Sequence, residues 1–242
     1  MYSTHLPTVL AVETSTQACS VALIHHDKEF VCHELLPQKH AHRVLEMVDE
    51  VITQAGIAHK QIDLLAYGEG PGAFTGIRIA TGVIQGLALG WDRPVLPVSS
   101  LLAMARKVCF NQVRDKSCKW YSLLDARMNE VYLLQGEYCS NSRKLLSGEP
   151  ILISPPEVEN HVNMEEQPIG IGDIEEEYPG LPKLFSEWHS ELPEAVSIAR
   201  VAQEKSSDAK TLMEEIPSPL YLRNHIADTI AERKIKAQQK QK

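Results

Sequence analysis

Gly70-Pro71-Gly72-Ala73-Phe74-Thr75-Gly76-Ile77-Arg78 follows an apolar run, Leu64-Leu65-Ala66-Tyr67, and opens a helical pattern that lasts to about Gly90. A strand feeding a glycine-rich turn that starts a helix presents bare backbone N–H groups to an anion. On the N-terminal side, Pro7 to Glu13 reads as a strand, Thr14-Ser15-Thr16-Gln17 as a polar turn and Cys19 to Ile24 as a returning strand. His25-His26-Asp27-Lys28 makes a second turn, Glu29 to Leu36 a third strand, and His40 to Ala55 a helix. Beyond the strand at 64–68 and the helix at 75–90 come a strand at Val95–Val98 and a helix from Ser99 to Cys109. The order β-β-β-α-β-α-β-α is that of a ribonuclease-H-like lobe, a mixed sheet flanked by helices.

The second half starts in the same way. Trp120 to Leu124 reads as a strand, Asp125-Ala126-Arg127-Met128-Asn129 as a turn and Glu130 to Gln135 as the strand coming back. A strand ending in an acid at a turn thus occurs twice, at Glu13 and Asp125. The expected fold class is α/β, two-lobed and actin-like (the ASKHA architecture). The expected parts are an N-terminal lobe at 1–110 with the glycine loop and interface helices, a smaller C-terminal lobe at 111–223, and a basic tail at 224–242, expected to be disordered. A last amphipathic helix is expected at Val196 to Lys205.

A net charge of −8 argues against this chain alone being a strong nucleic-acid binder, which needs a basic footprint. The apolar stretch Thr8 to Val12 is too short for a signal peptide or a membrane span, so no membrane role and a cytoplasmic location are expected. The 5 cysteines are widely spaced with no C-x-x-C pair, which suits free thiols in a reducing compartment.

The loop itself admits two readings. Gly68-Glu69-Gly70-Pro71-Gly72-Ala73 formally matches G-x-G-x-x-[GA], but Pro71 stiffens the turn and no Gly-Lys-Ser/Thr follows. The glycines serve either anion contact or tight turning and helix packing. Residues placed at a possible anion site are Glu13, Thr14, Ser15, Gly70, Gly72, Thr75, Gly76 and Arg78. The helix carries a second signal: Gly82, Gly86 and Gly90 stack on one face with Thr75 and Ile79 nearby. Each mid-helix glycine costs roughly 0.5–1 kcal/mol against alanine, so such a ladder calls for close approach by another backbone. The helix at 40–55 has an apolar arc of roughly 160°, wider than one sheet requires. Val44, Val48, Val51 and Ile52 are therefore also expected at an interface with another subunit. No metal site is expected: there is no H-E-x-x-H, and His40 and His42 would lie about 200° apart on a helix. No nucleophile–base pair suggests itself either, so no catalytic residue is assigned.

Several of these segments together resemble the TsaB (YeaZ) family. They are Ala11-Val12-Glu13-Thr14-Ser15-Thr16, the glycine loop, Gln85-Gly86-Leu87-Ala88, Asp125 to Tyr132 and Pro219-Leu220-Tyr221-Leu222-Arg223. The family pattern often has serine where this chain has Ala73. The resemblance implies a scaffold subunit of the bacterial machinery that makes N6-threonylcarbamoyladenosine (t6A) at position 37 of tRNAs reading codons that begin with A. Implied partners are the catalytic paralogue TsaD as a heterodimer and the ATPase TsaE. It also implies a homodimer when alone, and tRNA contact through the complex. ATP, ADP and metal are expected on the partner subunits, with no cofactor bound strongly by this chain. Where TsaD carries a His-x-x-x-His metal pair, this chain has Ser99-Ser100-Leu101-Leu102-Ala103-Met104. Hydroxyls and a thioether cannot replace two imidazoles around such a cation. The rival class is a stand-alone actin-like ATPase or small-molecule kinase; a metallopeptidase is a third, and bound metal would reveal it.

Overall fold

The computed structural model describes residues 6–36, 39–113 and 115–223. The basic tail at 224–242, expected to be disordered, lies outside the described residues. The first sheet joins β1 (Val9–Glu13), β2 (Ala18–His25), β3 (Lys28–Leu35), β4 (Leu64–Gly70) and β5 (Val95–Ser99) in the order β3-β2-β1-β4-β5. β1 runs antiparallel to β2 and parallel to β4, and β4 runs parallel to β5.

The second sheet repeats this plan. Its strands are β6 (Cys118–Arg127), β7 (Glu130–Cys139), β8 (Lys144–Ser147), β10 (Ile169–Gly172) and β11 (Glu187–Ser190), ordered β11-β10-β6-β7-β8. The short β9 (Ile151–Ile153) pairs with β7 off this path. Here β6 has an antiparallel partner on one side, β7, and a parallel one on the other, β10. The duplication read from Glu13 and Asp125 is thus a duplication of sheet topology, and the fold is the mixed α/β, two-sheet architecture expected.

Alternation along β1 explains the layering. Leu10 and Val12 face a cluster formed with α1 (His40–Ala55) and α2 (Phe74–Trp91), while Val9 and Ala11 face a second cluster on the other side. That second cluster holds α3 (Ser100–Val108), α5 (Ala195–Glu204) and the inner face of β6 and β7, through Trp120, Leu124 and Leu134. A strand buried on both faces must read as continuous hydrophobicity, as Val9 to Val12 does. The outer face of the second sheet packs Tyr121, Leu123 and Val131 under Val158 of α4 (Val158–His161), Ile174 and Phe185. Residues 195–204, counted with the second lobe in the sequence, sit on the first sheet: Ala195 N donates to Ser20 Oγ, and Gln203 Nε2 donates to Pro7 O.

The expected helix 99–109 is α3 followed by a π-helical turn, Cys109–Val113, with Ser99 as its N-cap. Strands β8 to β11 have no counterpart in the sequence reading. Each is 3 or 4 residues long, too short for periodicity to declare itself. Among the described residues no helix is long and apolar enough to cross a membrane.

One expectation needs correction here. Val44, Val48 and Val51 were assigned to a partner interface, but they are 1%, 4% and 0% exposed and pack with Met47 against the first sheet. Ile52 is only partly buried at the margin of that cluster. The wide apolar arc of α1 serves the sheet on one flank and α2 on the other. Its outward apolar side chain is Leu45, 57% exposed. Met47→Ala should therefore lose about 2–5 kcal/mol of stability through the cavity it leaves, and Leu45→Ala within about 0.5 kcal/mol. Urea unfolding followed by circular dichroism measures both.

Candidate functional site

β1 and β4 run parallel, so the polar turn after β1 and the glycine turn after β4 emerge side by side. They are pressed together at main-chain distance. A Cβ on Gly76 would lie 2.0 Å from Thr14 O, and one on Gly72 would lie 2.5 Å from Ser15 O. Ala73 N donates to Ser15 O at 2.7 Å, and Thr14 Oγ1 donates to Gly76 O at 2.8 Å. Gly70 turns the chain with φ +107°, a conformation only glycine adopts readily. Gly72 and Gly76 therefore serve close packing, and of the amides that could face an anion, Ala73 N is taken up by the neighbouring turn.

Glu13 lies beneath this junction with no exposed surface. Its Oε1 accepts from Ser15 N at 2.5 Å, its Oε2 accepts from Ser100 Oγ at 2.7 Å, and a Cβ on Gly68 would fall 1.9 Å from Oε2. Burial pushes its pKa up, against the pull of the bonds from Ser100 and Ser15. Glu13 is thus a structural carboxyl, not an anion contact. Ser100, the first residue of α3, is its hydroxyl donor. Ser15 Oγ is buried at the edge of the cleft without a hydrogen-bond partner among the described residues.

In front of the junction a cleft of about 1040 Å³ opens between the two sheets. Its far wall is the β6–β7 turn, where Arg127, Met128 and Asn129 hold left-handed backbone at φ 62°, 59° and 58°. Asp125 Oδ1 accepts from Arg127 N at 2.8 Å and from Tyr178 Oη at 3.3 Å, which fixes this turn from within. Asp173, Glu176 and Glu177 also line the wall, and burial followed by the charge of Glu175 pushes Asp173 up to about 6. On one wall the Ser15 carbonyl takes up the Ala73 amide, and the other wall presents side chains and carboxylates. Among the described residues no three His, Cys, Asp or Glu side chains are grouped to hold a metal ion. His40 is buried and His42 exposed, so the two do not converge.

The cleft is crossed by a strap that sequence reading placed only as a closing segment, Pro217 to Arg223. Tyr67 Oη donates to Ser218 O at 2.9 Å and accepts from Ser218 N at 3.0 Å. Gln85 Nε2 donates to Pro217 O at 2.6 Å, and Leu220 N donates to Glu69 O at 2.8 Å. Arg78 Nε donates to Tyr221 Oη at 2.6 Å while its guanidinium lies 3.4 Å from the Phe74 ring centre. Arg78, expected at an anion site, is held in this stack instead. At the far end Arg223 Nη2 donates to Ala126 O at 3.0 Å and to Arg127 O at 3.2 Å, and pairs with Glu130. Tyr67, Gln85 and Ser218 carry no local motif, so only the fold reveals their union.

The opposite flank of α2 is bare. Gly82, Gly86 and Gly90 are exposed, with nothing within 4 Å of where a Cβ would stand. Thr75 is exposed and Ile79 half-buried along the same stripe, and Leu89 is 77% exposed. Near the strap's start, Met213 and Ile216 are 96% and 71% exposed. Leu89, three residues after Gly86, extends the same helical face, and its spacing is the signal in the sequence that marks it.

A family model described as "TsaD: tRNA N6-adenosine threonylcarbamoyltransferase" matches residues 19–168. The Escherichia coli (strain K12) tRNA threonylcarbamoyladenosine biosynthesis protein TsaB is 34% identical over 226 residues, covering 90% of this chain and 96% of that protein. The protein of the same name from Haemophilus influenzae is 45% identical over 128 residues, 53% of each chain. The structure of YeaZ from Pseudomonas aeruginosa superposes with a TM-score of 0.77 at 34% identity, covering 89% of this chain and all (100%) of that one.

Two outcomes test the site's geometry. Gly76→Ala should destabilise the chain by about 1–3 kcal/mol or more in chemical unfolding, because the obstacle to its methyl is the Thr14 carbonyl and not a side chain that can swing away. Glu69 is pushed up to about 7 by burial first and then by Glu149 and Glu215. An acid whose pKa is raised on folding contributes stability that is present below its unfolded value, near 4.5, and lost as pH rises through about 7. The urea midpoint should accordingly fall between pH 5 and pH 8, and Glu69→Gln should flatten that fall.

Proposed function

The chain belongs to the TsaB (YeaZ) family, and from that premise we propose that it is the scaffold subunit of a t6A-forming assembly, required for N6-threonylcarbamoylation of adenosine 37 in tRNAs that read ANN codons. In this reading it docks a TsaD-type transferase through α2 and supports binding of a TsaE-type ATPase. The chemistry, with its nucleotide and metal, takes place on the partners, in the cytoplasm. The observation that carries this reading is the bare stripe Thr75–Ile79–Gly82–Gly86–Gly90, with Leu89 beside it. A helix lined with exposed glycines lets a second helix approach to main-chain distance, and no element among the described residues uses that closeness. Such a face is nearly self-complementary, so two copies pair through it when the paralogue is absent.

The interior of the site supports the same conclusion. A phosphoryl-transfer enzyme of this architecture needs an open cradle on each side of its cleft. Here Gly72 and Gly76 are closed against Ser15 and Thr14, and the second turn is occupied by Arg127 and Met128. An independent ATPase or kinase is therefore the weaker reading. The net charge of −8 supports a main electrostatic contact with tRNA on another subunit in this reading.

Gly86→Leu should remove at least ten-fold in affinity for the TsaD partner, read by co-purification and calorimetry. The fold should stay intact, because the new side chain meets nothing in the isolated chain and leucine favours helix over glycine by up to about 1 kcal/mol. In a reconstituted system with TsaD, TsaE and unmodified tRNA, omitting the chain or supplying the Gly86→Leu form should abolish t6A. Full modification in either case would refute the scaffold reading.

A further inference from the structure

A second hollow, of about 260 Å³, shares no residue with the cleft or with α2 and gathers three arginines. Elements distant in sequence supply it: Arg106 from α3, Phe110 from the π-helical turn, Arg143 from the turn between β7 and β8, and Arg200 from α5. The Phe110 ring holds two of the guanidiniums together, with Arg106 Cζ 3.4 Å and Arg143 Cζ 5.4 Å from its centre. The carboxylates around the hollow are already engaged. Arg106 Nε donates to Glu204 Oε1 at 3.0 Å, and Arg200 Nε and Nη2 donate to Glu29 Oε1 at 2.9 Å and 2.6 Å. Glu194 pairs with Lys107 Nζ at 3.0 Å and accepts from Ser197 Oγ at 3.2 Å. Arg143 has no such partner: among the described residues its guanidinium makes no hydrogen bond and no ion pair. We propose that this hollow is a binding site for the phosphate group of a small molecule, with Arg143 and Arg106 as its donors.

A guanidinium presents a planar fork of N–H donors that matches two oxygens of a phosphate. Arg143 brings its whole fork, and Arg106 Nη1 makes no hydrogen bond after Nε and Nη2 have met Glu204. The Arg106 side chain is only 14% exposed, held by Glu204 and the Phe110 ring, so little further ordering opposes binding. Burial holds Arg106 below its ordinary pKa, Glu204 opposes this, and the charges of Arg200 and Arg143 push the same way as burial. An anion set between the guanidiniums relieves that repulsion. Phosphate suits the position better than carboxylate, because its third and fourth oxygens serve a second guanidinium once the first fork is filled. The net charge of −8 repels a long polyanion, whereas a compact phosphate feels chiefly the arginines beside it. Bound there, it would join the β7–β8 turn of the second sheet to α3, which lies between the two sheets.

The test titrates inorganic phosphate and glycerol 3-phosphate separately into the full chain, with sodium chloride holding the ionic strength constant, and reads calorimetry and the melting midpoint. The expected result is saturable binding of at least one of them, with a rise in midpoint that sodium chloride alone does not give. Tighter binding of glycerol 3-phosphate assigns a phosphate monoester as the ligand, and tighter binding of inorganic phosphate assigns the free ion. Arg143→Ala should weaken binding about ten-fold or more. Its circular dichroism should be unchanged, because the Arg143 side chain is exposed and unpaired among the described residues. Lys144→Ala, the neighbouring exposed cation, should bind as the parent chain does. No saturable binding of either compound, a folded Arg143→Ala form that binds as tightly as the parent, or an equal loss in Lys144→Ala would each overturn the proposal.

Discussion

The contact between the Thr14–Ser15 turn and the Gly72–Gly76 turn is the constraint from which the rest of the molecule follows. It needs two glycines because carbonyl oxygens stand where their side chains would be. It needs a buried carboxyl group, Glu13, because the turn's amide and the buried Ser100 hydroxyl require an acceptor. With that junction set, α2 leaves β4 in one direction only. One flank of the helix then meets α1 and the sheet, another holds the strap, and a third faces outward.

Groups that would address a ligand address the chain itself: Ala73 N binds Ser15 O, Arg78 lies over Phe74 and donates to Tyr221 Oη, and Arg223 binds the carbonyls of the facing turn. The cleft persists as a shape lined with carboxylates. The long stripe of α2 is what still lacks a counterpart among the described residues.

Much of the fold was legible because the first lobe follows simple periodicities. Val9 to Val12 and Leu64 to Tyr67 are unbroken apolar runs, and Gly56, in left-handed conformation at φ 66°, ends α1 as a C-capping glycine should. The second lobe was harder. Ile169–Gly172 is built as Ile-Gly-Ile-Gly because a Cβ on Gly170 would strike Phe185 and Trp188, and that demand comes from residues distant in sequence. At the site, the glycine ladder was readable from spacing alone. The width of α1's apolar arc misled, since Val44, Val48 and Val51 face two inner neighbours and not a foreign one. The strap was illegible in chemical detail: Tyr67 and Ser218 are 151 positions apart and meet only once both sheets exist.

Because the obstruction at the junction consists of main-chain atoms, trimming side chains cannot clear it. Widening the junction would require inserting or deleting residues at one of the two bends, with α2 and everything gripping it displaced in consequence. A change at this junction is therefore felt along the whole of α2 and the strap it holds, and not at one side chain.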